Sequence, residues 1–164
     1  MGMVQHNSAM YAAIRHAAEQ GVKYGFEACG MIVGWPEERV PDRFLPVPNT
    51  HPDPEKHFLM HPDHINEEGQ KRFGARWKTA QPVSMFHSHP NGSIQPSSDD
   101  IEGFPVWMWD NTKLKPRGWI ISFDECDVKY DSRSGRPRVV TPLRGSLVAY
   151  NHEGPIMTMT GAFL

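Results

Sequence analysis

The chain has 164 residues, a formal net charge of −2 at pH 7 and a sequence pI of about 6.5. This length suits one compact domain with a real core, and it is too short for the barrel hydrolases that also use a His-x-His pair, which need about 250 residues. The charge shows no basic excess, which argues against a nucleic-acid partner.

The cysteines and the apolar segments predict where the protein is found. With no disulfide pattern, Cys29 and Cys126 read as free thiols in a reducing compartment. No apolar run approaches the length of a membrane span, and the N-terminus lacks the apolar core of a signal peptide. We therefore expect a soluble, cytoplasmic protein without a membrane partner.

Apolar periodicity and turn residues predict helices that alternate with strands. The predicted elements are, in chain order, a helix from Asn7 or Ser8 to just before Gly25, a strand over 28–35, an edge strand over 44–47, a strand over 57–60, a helix opening at 61–63, a strand over 82–88, a short helix capped by Ser97, a strand over 117–123, and hairpin strands over 126–130 and 138–141. The helix after residue 61 carries Ile65, Phe73 and Trp77 on its apolar face. This alternation predicts a three-layer α/β fold with a mixed central β-sheet flanked by helices.

Glu27 stands directly before the first apolar strand, in Phe26-Glu27-Ala28-Cys29-Gly30. A carboxylate at the mouth of a buried strand is costly to bury unless it is paired or has chemical work to do. One interpretation is a surface Glu at a helix–strand junction. The other is a general base for hydrolysis at a metal centre.

The segment His87-Ser88-His89-Pro90 closes the strand predicted over 82–88. Because side chains alternate along a strand, His87 and His89 point to one face, and both imidazoles can reach one metal ion. Asp100 falls in the first turn of the next helix, for which Ser97 is the N-cap. Two nitrogens and one carboxylate oxygen leave a tetrahedral zinc one open position, as in catalytic sites. Histidines at this spacing also occur in chains that bind no metal.

Together, Glu27, the His-Ser-His-Pro segment, Ser97 and Asp100 resemble the signature of the JAMM (MPN-plus) zinc metalloproteases. Ser97 lies three residues before Asp100, and Asp100 lies eleven residues after His89. The sequence Glu-Ala-Cys-Gly after an N-terminal helix is similar to the bacterial and phage branch, which includes the N-terminal domain of phage tail assembly protein K. The likeness spans about residues 8–124.

The resemblance implies a role for each of these residues. His87, His89 and Asp100 would be the ligands of Zn²⁺, Glu27 would activate a water, and Ser97 would stabilise the oxyanion. It implies a JAMM/MPN-like fold and a metallopeptidase or isopeptidase that hydrolyses an amide bond. The substrate would be a protein or peptide, with phage tail proteins or a ubiquitin-like protein as candidate partners. Phage kinship would also allow association with the virion.

Several alternatives stay open. The chain can be a non-catalytic assembly module of a phage tail or similar complex. A thiol hydrolase would use Cys29 with His87 or His89, and Ser97 can be a plain helix cap worth about 1 kcal/mol. Four further histidines lack a carboxylate or cysteine partner at a fixed spacing and are not assigned to the metal: His51, His57, His61 and His64.

The likeness also predicts how the chain divides. We expect a JAMM/MPN-like metalloprotease domain over 1–124 and a C-terminal extension over 125–164, with hairpin strands that pack on the same domain. The extension contains a turn at 131–137 and an apolar run at 147–150. The resemblance leaves this extension unexplained.

Overall fold

The computed structural model describes residues 8–37, 43–90, 93–104 and 117–162, so Asn7, one of the two predicted caps of the first helix, lies outside the described residues. The elements are α1 (Ser8–Tyr24), β1 (Cys29–Gly34), β2 (Arg43–Val47), α2 (Pro62–Phe73), a 3₁₀ helix (Gly74–Thr79), β3 (Gln81–Ser88), α3 (Ser98–Glu102), β4 (Arg117–Tyr130), β5 (Pro137–Asn151) and β6 (Gly154–Ala162). None of the described helices has the length and apolar character that a membrane span requires.

The strands of the described residues form one six-stranded sheet in the order β2-β1-β3-β4-β5-β6. β3 and β4 run parallel, while the other neighbouring pairs are antiparallel. Cys29 at the start of β1 is the register partner of His87 near the end of β3. The residues before β1 and those after β3 therefore meet at one end of the sheet.

Alternating side chains of the strands build a core on each face of the sheet. On one face, α1 packs against one residue from each of the four central strands: Ile32, Phe86, Ile121 and Leu147. On the other face, residues of α2 and the 3₁₀ helix pack against the next residues along the same strands: Met31, Met85, Ile120 and Val148. The predicted three-layer α/β fold with a mixed sheet is confirmed.

Local sequence signals account for the first elements. α1 ends before Gly25, as predicted, and Gly25 takes a φ of 66° while its N–H donates to the Gly21 carbonyl at 2.9 Å. Left-handed glycine after the last turn is a common helix stop. β2 lies at the edge of the sheet, where Pro46 is tolerated because an edge strand can lack one N–H donor.

Two predictions for residues 57–79 are wrong. Residues 57–60 form no strand and belong to a loop over 48–61. The second helix ends as an α-helix at Phe73, because Gly74 takes a φ of 56° and redirects the chain. Trp77 lies instead in the 3₁₀ helix, and its ring fills the space that a side chain at Gly69 would need.

The C-terminal strands are longer than predicted. β4 is continuous from Arg117 to Tyr130, so the segments 117–123 and 126–130 belong to one strand. β4 pairs with β5 from Gly118↔Tyr150 to Tyr130↔Pro137, and β6, which the sequence did not predict, pairs with β5. Residues 125–162 thus extend the same sheet, and the division of the chain at residue 124 stays a prediction.

Candidate metal centre

The fold brings Glu27 to the histidine segment through the pairing of β1 with β3. The Ala28 N–H donates to Ser88 Oγ at 2.8 Å, and the Ser88 N–H donates to the Ala28 carbonyl at 2.9 Å. Ser88 points away from the face of His87 and His89, as strand alternation requires. Its hydroxyl therefore fastens the two strands together while the imidazoles face the opposite side.

The two histidines direct their Nε2 atoms toward each other, at 3.1 Å. The His89 N–H donates to the Ile121 carbonyl at 2.9 Å, so pairing with β4 continues one residue past β3. His87 is 0% exposed and stacks on Phe58 with ring centroids 4.2 Å apart. His89 Nδ1 lies 2.7 Å from the Ser93 carbonyl oxygen, which can only accept, so Nδ1 carries a proton. In the neutral ring the lone pair then lies on Nε2, where a metal can bind.

α3 directs Asp100 at both imidazoles. Asp100 Oδ1 lies 3.2 Å from His87 Nε2, and Asp100 Oδ2 lies 3.4 Å from His89 Nε2. Ser97 Oγ accepts from the Asp100 N–H at 3.1 Å, and the Ser97 N–H donates to Asp100 Oδ2 at 2.8 Å. This reciprocal capping box starts the helix and orients the carboxylate with the same pair of residues.

Glu27 is buried beside these groups, with Oε1 3.9 Å from His89 Nε2. Its N–H donates to the Pro54 carbonyl at 2.7 Å, and its carbonyl accepts from Asn49 Nδ2 at 2.9 Å. Burial raises the pKa of Glu27 to about 7; the nearby His89 opposes the shift, and the negative charge of Asp100 adds to it. Glu27 is therefore a carboxyl group that can exchange a proton near neutral pH.

Burial and charge act differently on the other three groups. Burial lowers the pKa of His87 and so favours the neutral imidazole that binds metals. Burial also disfavours charge on His89, but hydrogen bonds to Asp100 and Ser93 outweigh it and raise the pKa. Burial opposes ionisation of Asp100, but hydrogen bonds from both histidines hold its pKa well below the usual range. Of the two imidazoles, His89 is thus the one that binds a proton more readily, and a metal ion would have to displace that proton.

Glu27, His87 and His89 form a group that could hold a metal ion, because each offers a ligand atom within 4.8 Å of the others. Away from this centre, no group of three such side chains with this spacing is found in the described parts of the chain. Asp100 adds a carboxylate against the same two imidazoles. The donors are nitrogen and oxygen atoms, which suit a borderline divalent cation.

A cleft of about 800 Å³ opens beside the centre, and Glu27, His89, Ser97 and Asp100 line it. One wall is formed by the 48–61 loop and the start of α2, and the other by residues 89–90 and 93–103. Apolar side chains also line the cleft: Met31, Phe58, Met60, Ile65 and Met85. Its volume lies in the range of ligand-binding clefts.

A family model for prokaryotic homologs of the JAB domain, Prok-JAB, matches residues 6–134. The chain belongs to the Prok-JAB family. Among solved structures, the chain is similar to the solution structure of protein DSY2949 from Desulfitobacterium hafniense, with 22% identity over 93% of this chain and 83% of that chain, at a TM-score of 0.47. No curated protein matches the chain.

The Prok-JAB domain brings together the residues singled out in the sequence. Glu27, His87, His89, Ser97 and Asp100 meet at one end of the sheet, while the roles assigned to them stay predictions. Of the four further histidines, two line the cleft and two lie at the start of α2, where one caps the helix: His51, His57, His61 and His64.

Cys29 is a buried packing residue of the Prok-JAB domain, and both cysteines are free thiols. Its Sγ donates to the Val47 carbonyl at 3.4 Å. Burial raises the pKa of the Cys29 thiol to about 12, and the neighbouring Glu27 adds to the shift. A nucleophilic cysteine needs its thiolate, so these surroundings argue against a thiol hydrolase.

Three residues that contact the centre were not predicted from the sequence to be part of it: Asn49, Phe58 and Ser93. In the sequence, Pro90-Asn91-Gly92 after His89 is typical of a turn, and a turn can bring a later carbonyl back to the imidazole. The Ser93 carbonyl takes this position. An Asn in a Pro-rich connection is a signal for local backbone bonding, which Asn49 carries out. Phe58 gave no signal, because its contact with His87 depends on the path of a loop.

Proposed function

We propose that this Prok-JAB domain is a zinc-dependent peptidase or isopeptidase that hydrolyses an amide bond. The observation that carries the proposal is the convergence of three donors: His87 and His89 Nε2 are 3.1 Å apart, and the Asp100 oxygens lie 3.2 and 3.4 Å from them. Around a tetrahedral zinc with ligand distances of about 2.0–2.2 Å, neighbouring donors are roughly 3.3–3.6 Å apart. The spacing found here is close to that arrangement.

Two carboxylates compete for the third ligand position. Asp100 presents one oxygen to each imidazole, whereas Glu27 lies 3.9 Å from His89. We therefore assign Asp100 as the ligand and Glu27 as the general base. Two imidazoles, one carboxylate and an open fourth position make up a donor set typical of catalytic zinc.

The bound zinc would polarise the scissile carbonyl and lower the pKa of a water at the open position. Glu27 would accept a proton from the attacking water and return it to the leaving amine. Its buried position next to His89 supports this role, since it lies within reach of the centre and opens onto the cleft.

Ser97 is proposed to donate to the oxygen that gains charge when the carbonyl is attacked. In the capping box its Oγ accepts a hydrogen bond from the Asp100 N–H, so the hydroxyl proton can be donated into the cleft that Ser97 lines. A donor directed at developing charge is worth more in the transition state than in the ground state. Capping and oxyanion binding are therefore compatible roles for one hydroxyl.

We propose a protein or peptide as the substrate. The cleft offers polar donors at the centre and an apolar wall beside them, which suits the amide groups and side chains of a peptide. A ubiquitin-like protein and a phage tail protein are the partners to test first. The domain family by itself does not select between them.

The test compares wild type with Glu27→Gln on a panel of peptide and isopeptide substrates, with both proteins loaded with zinc. Gln keeps the size of Glu but cannot act as a base, so hydrolysis should fall by at least about 10²-fold while zinc content and melting temperature stay near wild type. Glu102→Gln, an exposed change in α3, is the matched control and should cleave normally. If zinc-loaded wild type cleaves nothing, or Glu27→Gln cleaves equally well, the non-catalytic assembly module is the better interpretation.

A further inference from the structure

The carboxamide of Asn49 joins the 48–61 loop to the backbone of Glu27. Asn49 Nδ2 donates to the Glu27 carbonyl at 2.9 Å and to the His57 carbonyl at 2.8 Å, with a longer contact of 3.5 Å to the Pro54 carbonyl. Glu27 is 22 residues away from Asn49 in sequence. One side-chain nitrogen thus connects the loop to the residue that precedes β1.

The oxygen of the same side chain holds the two ends of the loop together. Asn49 Oδ1 accepts from the N–H groups of His51 and Leu59, both at 3.1 Å. Thr50 adds a backbone bond from its N–H to the Leu59 carbonyl at 3.1 Å. The 48–61 loop contains no strand, so no β-ladder holds its two ends together. The side-chain bonds of Asn49 do so instead.

The backbone of Glu27 is held on both sides by this loop. Its N–H donates to the Pro54 carbonyl at 2.7 Å, and its carbonyl accepts from Asn49. The next residue, Ala28, is instead fixed to β3 through Ser88. The direction of the Glu27 carboxylate relative to the histidines thus depends on where the loop holds the peptide groups around it.

We propose that Asn49 is a positioning residue for Glu27, through which the 48–61 loop and the proton-transferring carboxylate are held as one unit. The proposal rests on the proposed role of Glu27 as the general base. The loop also forms a wall of the cleft through His51, His57 and Phe58, so the segment that Asn49 links to Glu27 lies at the cleft itself.

The variants for the test are Asn49→Asp and Thr50→Val. Asp keeps the oxygen that accepts from His51 and Leu59 but replaces the nitrogen that donates to Glu27 with a second oxygen. Val at position 50 removes one bond inside the same loop, from Thr50 Oγ1 to the Leu59 carbonyl at 3.3 Å, and leaves the link to Glu27 intact. Asn49→Ser, whose hydroxyl is too short to reach Glu27, replaces Asn49→Asp if that variant does not fold.

Two measurements are made on zinc-loaded protein: steady-state kinetics and the hydrogen exchange rate of the Glu27 amide. Because small displacements of a catalytic group are costly, Asn49→Asp should lower kcat by about 10–100-fold with KM within about 3-fold, and zinc content should not change. The Glu27 amide should exchange at least about 10-fold faster than in wild type, since its acceptor Pro54 lies in the loosened loop. Thr50→Val should match wild type in both measurements.

The proposal is overturned if Asn49→Asp has the wild-type kcat and the wild-type exchange rate of the Glu27 amide. It is also overturned if Asn49→Asp and Thr50→Val lose equal amounts of kcat, because that result would indicate a general loosening of the loop. If wild type cleaves no substrate, the proposed function fails, and the exchange rates decide the link between Asn49 and Glu27 separately. Faster Glu27 exchange confined to Asn49→Asp then supports the link.

Discussion

The two imidazoles of the centre are held by different forces. His87 is fixed by packing, because its ring stacks on Phe58 and meets the edge of Tyr150, while its buried Nδ1 has no hydrogen-bond partner among the described residues. His89 is fixed by the bond from Nδ1 to the Ser93 carbonyl. Packing does not fix which ring nitrogen of His87 carries the proton, whereas the bond to Ser93 requires a proton on Nδ1 of His89. The contacts of His89 therefore assign a proton to its Nδ1.

At the scale of single residues, we expect His89→Ala and Asp100→Asn to lose bound zinc and Glu27→Gln to keep it. Removing one of three protein ligands leaves too few donors for a stable tetrahedral site, whereas a general base does not hold the metal. Elemental analysis after dialysis should give about one zinc per chain for wild type. His152→Ala, an exposed change in the turn between β5 and β6, is the control and should keep its zinc. Zinc retained by His89→Ala, or lost from Glu27→Gln, would contradict this ligand set.

At the scale of elements, β1 connects Glu27 to the rest of the sheet. β1 lies between β2 and β3, and a Cβ added at Gly30 would lie 2.5 Å from the Leu45 carbonyl oxygen and 2.6 Å from the ring of Phe44. The edge strand β2 can pack this closely only because residue 30 has no side chain. A displacement here would reach Glu27 three residues earlier in the chain.

We expect Gly30→Ala to destabilise the protein and Gly21→Ala to stabilise it. At Gly30 the clash is with backbone and an aromatic ring, so overpacking should lower the free energy of unfolding by about 1–3 kcal/mol. Gly21 lies in α1, and its added Cβ would meet its nearest neighbour, Pro90, at an ordinary 3.7 Å. The better helix propensity of Ala should then add about 0.5–1 kcal/mol. Urea unfolding gives the free energy of unfolding of both variants. Equal stability of Gly30→Ala and wild type would show that β2 can move.

At the scale of the whole molecule, His16 lies where the two larger helices approach the edge strand. It lies on α1, with its ring 5.6 Å from that of Phe44 in β2. Burial, together with the positive charge of Arg72 in α2, lowers the pKa of His16 to about 4. The folded state therefore holds this imidazole neutral over a pH range in which the unfolded chain protonates it.

We expect the protein to lose stability as the pH falls from about 7 to about 4, in part through His16. In this window the unfolded state binds more protons than the folded state, so lowering the pH lowers the free energy of unfolding. The loss due to His16 is on the order of 2 kcal/mol. Above pH 7 both states hold the imidazole neutral, and His16 contributes no pH dependence. Thermal melts of metal-free wild type and His16→Gln across this range measure how far the melting temperature falls between pH 7 and pH 4. This fall should be smaller in His16→Gln. His152→Gln, an exposed change of the same type in the turn between β5 and β6, is the matched control. Parallel pH profiles for wild type and His16→Gln would rule out this contribution.

The sequence by itself determined the features that depend on backbone periodicity and on caps. Alternation along β3 put His87 and His89 on one face, Ser97 was identified as the cap of α3, and the stop at Gly25 ended α1. Helix and strand periods are properties of neighbouring residues, so their spacing can be read without knowing the rest of the chain. The three-layer fold class followed from the same alternation.

Only the tertiary structure decided which distant groups meet. In the tertiary structure β4 is one continuous strand that ends at Tyr130, and the 48–61 segment is a loop. The same loop places Asn49 against the backbone of Glu27. The tertiary structure also set the distances at which the carboxylates of Asp100 and Glu27 approach the imidazoles. These outcomes depend on hydrogen bonds and packing between residues far apart in sequence, whose free energies exist only once the sheet has assembled, so no local pattern could predict them.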